Sequence, residues 1–130
     1  MSLVDRFRLA LPLVQAPMAG VSTPLLAAAV SEARGLGSIG VGATDAAGAR
    51  VMIDEVRRRT GRPFNVNLFV HDDPHPDPVR EQAWLEMLEP LFAEFDAVPP
   101  ARFRTIYKSF ADDPEMLAML VDGADRGEPV

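Results

Sequence analysis

The parts of this chain best suited to holding a ligand are the segment Gln15-Ala16-Pro17-Met18-Ala19-Gly20 and two carboxamides, Asn65 and Asn67. In the segment, Pro17 fixes the direction in which the chain leaves, and Ala19 and Gly20 leave their backbone amides uncovered. Such a turn can lie against a flat ring and donate N–H groups to it. It is equally an ordinary strand-to-helix turn, and the residues alone leave both readings open. Asn65 and Asn67 alternate with Val66 and Leu68, so on a strand both amides share one face and the apolar residues the other. Inside a sheet or barrel those amides must be hydrogen-bonded. A polar heterocycle would satisfy them, and so would neighbouring turns.

Other chemistry-bearing residues argue for less. His71 and His75 are the only histidines, with Asp72 and Asp73 between them. A solvated, proline-stiffened loop accounts for them better than a metal site, because the spacing implies no ligand set. No metal is expected. Gly35-Leu36-Gly37-Ser38-Ile39-Gly40 matches G-x-G-x-x-G, but a dinucleotide fingerprint follows a strand and opens a helix. Here the order is reversed, so the glycines read as a helix stop and a tight strand. Cysteine is absent, which removes thiolate nucleophiles, disulfides and zinc–thiolate sites. Nothing resembles a Ser-His-Asp arrangement or a phosphate-cradling P-loop.

The elements that must position these residues follow a repeating order. Leu13–Ala16, between Pro12 and Pro17, suits a short buried strand. Thr23 and Pro24 then start a helix with Leu26, Ala29, Val30 and Ala33 on its apolar face, and Gly35 is expected to end it with a positive φ. Ser38–Val41 is a second strand. Thr44 or Asp45 caps the next helix, which buries Ala49, Met52, Ile53 and Val56, carries Arg57, Arg58 and Arg59 at its end and is stopped by Gly61. Phe64–Phe69 is the third strand. Val66 follows Ile39 by 27 residues, and Ile39 follows Val14 by 25, spacings that fit parallel strands joined by right-handed crossovers.

After Phe69 the rhythm breaks at a proline-rich loop. Asp77 and Pro78 open a helix expected to turn Trp84, Met87, Leu88, Leu91, Phe92 and Phe95 inward and to kink or split at Pro90. Asp112 is expected to cap a last helix facing inward through Leu117, Leu120, Val121 and Ala124. Residues 71–125 thus read as a helical insertion or extension, and Glu128-Pro129-Val130 as the start of a fourth strand. The fold class is α/β, and three strands account for less than half of a closed (β/α)8 barrel.

Composition bounds the function. With 130 residues, 48% hydrophobic and 25% charged, this is an ordinary globular chain. A net charge of −6 gives no general attraction to nucleic acid or anionic lipid; a small anionic substrate stays compatible, because a site is local. Arg6 and Arg8 before Leu9–Val14 only faintly imitate a secretory signal, interrupted by Asp5, Pro12 and Gln15. The chain reads as mature and cytoplasmic, without a membrane span.

Three blocks, LVQAPMAGVSTPLLAAAVSEA, GLGSIGVGA and RPFNVNLFV, resemble the nitronate monooxygenase (2-nitropropane dioxygenase) family in order and spacing. The flavin-dependent enoyl-acyl-carrier-protein reductases have similar opening blocks. The resemblance implies the N-terminal part of an FMN-containing TIM barrel that oxidises alkyl nitronates with O2. By position, Pro17, Met18, Ala19 and Gly20 would line the flavin through their backbone and Asn67 would hydrogen-bond the isoalloxazine, with Asn65 a lesser candidate. Arg34 stands where the family usually has glycine. The family's catalytic histidine and phosphate loops come from later strands, so no catalytic residue is expected within these 130 residues, which alone would be inactive. A non-catalytic truncated product stays open as a reading. Three or four barrel strands would also leave an open edge that invites self-association.

Overall fold

The computed structural model describes residues 2–72, 75–103 and 107–125, with the side chains of Ala124 and Asp125 outside the description. The predicted fourth strand at Glu128–Val130 therefore lies outside the described residues, as does Asp73. The chain divides into two compact units, Met1–His71 with Tyr107–Val130, and Asp72–Ile106.

In the first unit, α1 (Leu3–Phe7) opens with a capping box in which the Ser2 hydroxyl and Asp5 carboxylate serve each other's backbone amides. Hydrogen bonds from Ser2 hold the Asp5 carboxyl below the usual carboxylate range. The helix α2 (Pro24–Glu32) begins where Thr23 Oγ1 accepts the Leu26 amide at 3.2 Å. Strand β1 (Gly37–Gly40) follows, then α3 (Ala46–Arg59), capped by Asp45 accepting the Gly48 amide at 2.8 Å. Strand β2 (Phe64–Asn67) runs parallel to β1 with Gly37 opposite Phe64, Ser38 opposite Asn65, Ile39 opposite Val66 and Gly40 opposite Asn67. That register is the 27-residue offset read from the sequence. The architecture is α/β with parallel pairing throughout.

The expected first strand is reduced to one rung. Val14 pairs in parallel with Leu36, through Gln15 N–H to Leu36 O and Leu36 N–H to Leu13 O, both 2.9 Å. The next rung would need an N–H from Pro17, which has none, so no ladder extends along Leu13–Ala16. The other strands are displaced or shortened by a residue or two from Ser38–Val41 and Phe64–Phe69.

Apolar residues pack on one face of this sheet. Ile39, Val41 and Phe64 join Ala49, Ile53 and Val56 of α3 in the core, with Met52, Val66 and Leu68 packed against it. The α3 face is as expected. The α2 face is not: Ala27, Ala28 and Ser31 are buried, whereas Leu26, Ala29 and Ala33 are exposed. Close approach explains the difference. A Cβ on Gly37 would sit 1.9 Å from the Ala27 carbonyl oxygen, so only small residues fit between α2 and β1. Ser31 Oγ accepts the Gly37 amide at 3.2 Å and donates to Pro63 O at 3.0 Å, tying the helix to the start of both strands. Nor does Gly35 supply the positive φ at the helix end. Arg34 does, at φ 67°. The α3 helix ends on Thr60 in extended backbone, with Gly61 the residue after it.

Two further helices complete the description. A 3-10 turn at Phe110–Asp112 leads into α5 (Pro114–Asp125), which packs on α3. Its cap is Asp113, accepting the Met116 amide at 3.1 Å, rather than Asp112. Its buried residues are Met116, Met119 and Gly123, while Leu117 and Val121 are exposed. Leu120 packs against the core as expected, but Met116 and Met119 are buried where Leu117 and Val121 were expected, two flexible methionines filling the core instead. In the second unit, α4 (Pro78–Glu94) starts at Asp77, which accepts the Arg80 amide at 3.1 Å, and runs unsplit through Pro90. Only Leu85 of α4 is buried; Trp84, Met87, Leu91 and Phe95 of the expected inner face are exposed. No described helix is long and apolar enough to cross a membrane.

Candidate functional site

The sheet has a second face, and its residues are polar or small. With Phe64 and Val66 turned into the core, Asn65 and Asn67 lie half-buried on the opposite face. Their register partners there are Ser38 and Gly40. Asn65 Nδ2 donates to Ser38 Oγ at 3.4 Å, so one carboxamide is engaged by its neighbouring strand.

The segment Gln15–Gly20 reaches the same end of the sheet. A Cβ on Gly40 would lie 3.2 Å from Pro17 O and 3.5 Å from the Ala19 amide nitrogen. The turn therefore rests on the carboxyl end of β1, directly on the residue paired with Asn67. Gly20 adopts φ 75° with nothing within 4 Å of where a side chain would begin; the conformation requires glycine there, not the space. Met18 O accepts the Val21 and Ser22 amides at 3.1 and 2.7 Å. The Ala19 and Gly20 amides donate to no group among the described residues, and both residues are exposed.

Two residues at this place, Gly40 and Ser22, escaped the sequence reading of the site, as did the part played by the Gln15 side chain. Gly40 permits the close approach of the turn. Ser22, 3% exposed, and the Gln15 side chain bond into the turn and the strand beside it. Their signal in sequence is faint, since a side chain that bonds to backbone has no periodic pattern. The expected alternation of Asn65 and Asn67 with apolar residues is, by contrast, what the strand displays.

Beyond β2, Gly42 leaves room for the Phe69 ring, which a Cβ there would meet head-on. Tyr107 packs edge-on against Phe69 at a centroid distance of 5.0 Å, and the Phe110 amide donates to Phe69 O at 2.9 Å. His71 and His75 are exposed, and the His71 amide donates to Ser109 Oγ at 3.2 Å. No group of three or more metal-ligating side chains occurs among the described residues. Lys108 lies 3.0 Å from Asp113. Burial raises the Asp113 pKa, but Lys108 and the Met116 amide outweigh it, and the carboxyl is held below its ordinary value.

Several known proteins resemble the chain. The chain is 55% identical over 124 residues to a nitronate monooxygenase of Pseudomonas aeruginosa, covering 92% of this chain and 35% of that protein. It is 54% identical over 111 residues to a nitronate monooxygenase of Paraburkholderia phytofirmans, covering 85% of this chain and 30% of that protein. The chain thus spans about a third of the length of the curated relatives it matches. Among solved structures, the nitroalkane oxidase of Streptomyces ansochromogenes superposes with a TM-score of 0.74 at 38% identity, over 92% of this chain and 33% of that one. The nitronate monooxygenase family model matches residues 2–111, a stretch that contains the turn, both strands and both asparagines, and the chain belongs to the nitronate monooxygenase family.

Proposed function

We propose that the chain forms the N-terminal part of an FMN-dependent TIM-barrel enzyme that oxidises alkyl nitronates with O2. The observation that supports this best is the placement of the Pro17–Gly20 turn on Gly40, beside Asn67, at the carboxyl ends of parallel strands. That is where α/β proteins of this kind bind ligands. The group fits the residues present. A flat ring with carbonyl and N–H edges suits a small-residue turn with two uncommitted amides and a carboxamide on the adjoining strand.

In this reading Pro17, Met18, Ala19 and Gly20 line FMN through their backbone, and Asn67 hydrogen-bonds the isoalloxazine. Asn65 is a lesser contact, since its amide already donates to Ser38. When bound, FMN supplies the redox chemistry between nitronate and O2. The residues of this chain bind and orient it. A neutral nitroalkane would also need a proton acceptor, and histidine suits that task near neutral pH. His71 and His75 are exposed on a loop rather than aimed from a strand, so this chain is assigned no catalytic residue. The flavin-dependent enoyl-acyl-carrier-protein reductase reading is weaker, because the family model and the first relatives are nitronate monooxygenases.

An FMN titration of the full-length protein, followed by flavin absorbance, tests the assignment. Asn67→Ala should weaken binding by about 1–3 kcal/mol, the cost of a lost polar partner. Unchanged affinity removes Asn67 from the site.

A further inference from the structure

We propose that Ser22 and Gln15 are positioning residues that form the turn in advance, so that the Ala19 and Gly20 amides are presented before any ligand arrives. The inference rests on the flavin reading of that turn.

Gln15 replaces the rung of the ladder that Pro17 breaks. Past the Val14–Leu36 pair, a regular parallel strand would accept the Ser38 amide on the Gln15 carbonyl and donate the residue-17 amide to Ser38 O. Pro17 has no amide. Instead the Gln15 side chain does both jobs: Oε1 accepts the Ser38 N–H at 3.2 Å, and Nε2 donates to Ser38 O at 3.0 Å. The chain stays fixed to β1 up to the residue where the turn begins.

Ser22 holds the turn from its far side. Its buried hydroxyl accepts the Met18 N–H at 2.8 Å and donates to Ala16 O at 2.7 Å. Met18 O is already taken by the Val21 and Ser22 amides, so the Met18, Val21 and Ser22 amides are all engaged within the turn. The amides left over are Ala19 and Gly20, on the exposed side, next to Gly40 and Asn67. Ordering the turn is thereby completed on folding instead of on binding, which is what preorganisation means for affinity. Ser22→Ala would leave Met18 N–H only its local bond to Ala16 O, 3.1 Å, and would cut the tie between Ala16 and residue 22 that closes the turn.

The test is a ¹H–¹⁵N NMR titration of the chain with FMN, joined to amide exchange, on the native protein, Ser22→Ala and Thr23→Ala. Thr23→Ala is the control, because it removes the adjacent helix cap without touching the turn. In the native chain FMN should shift the Ala19 and Gly20 amides. In Ser22→Ala the Met18 amide, left with Ala16 O alone, should exchange faster and FMN affinity should fall about tenfold, with Ile39 and Val56 still protected. Thr23→Ala should keep both the shifts and the affinity. If Ser22→Ala binds FMN as the native chain does, with the same shifts, this inference falls and the flavin reading stands. If FMN moves no amide of the turn in the native chain, the flavin reading falls and the inference with it.

Discussion

Arg34 carries a left-handed backbone, φ 67°, at the end of α2, where its amide donates to Ser31 O and the Gly35 amide donates to Val30 O. Helices commonly end this way with glycine, and a side chain at that position costs about 1 kcal/mol. Arg34→Gly should therefore stabilise the chain by about 0.5–1 kcal/mol in urea unfolding; no gain would mean that the arginine side chain offsets the strain. Asp113 makes a prediction in pH. Its carboxyl lies below its ordinary pKa because Lys108 and the Met116 amide outweigh burial. A depressed carboxylate adds stability above the unfolded pKa, about 3.9, and that stability fades as the pH falls through the folded value. Asp113→Asn should flatten this acid limb and shift the curve little in shape above pH 5. An acid limb of unchanged slope would assign the effect to other carboxylates, Glu55 with Arg58 and Arg59 first among them.

At the scale of elements, the closeness of α2 to β1 is the feature most open to test. Gly37→Ala would drive a Cβ into the Ala27 carbonyl, and backbone cannot yield as a flexible side chain can. Destabilisation of about 3 kcal/mol or more is expected; a loss below about 1 kcal/mol would mean that helix and strand separate easily. This contact also marks the limit of what sequence periodicity could reveal. The caps at Thr23 and Asp45, the α3 face and the 27-residue strand offset were legible because each is a local or periodic rule. The α2 face was not, because the helix turns its small residues inward to meet Gly37, against its hydrophobic pattern. The first strand failed for another reason: the proline that made its boundary legible also removed the donor of its next rung. At the candidate site, the pairing of Asn65 and Asn67 on one face was readable from a period of two. The bonds of Gln15 to Ser38, across 23 residues of sequence, were not.

At the scale of the whole molecule, the proposed function implies that these 130 residues contact the flavin and do not form a complete catalyst. Taken alone, they should hold FMN weakly and turn over no nitronate, since the aimed histidine and a cradle for the flavin phosphate are missing from the described residues. The outer edge of β2 and the exposed apolar residues Val14, Val21 and Leu25 should favour self-association, read by size-exclusion chromatography. A yellow, monomeric protein with turnover would overturn that view. The central claim is where the flavin lies, and a crystal structure of the chain grown at saturating FMN tests it most directly. The account predicts the isoalloxazine against the Pro17–Gly20 backbone, with the Asn67 carboxamide within hydrogen-bond distance of the ring. A ring bound anywhere else on the chain, or bound there without a polar contact to Asn67, would contradict it.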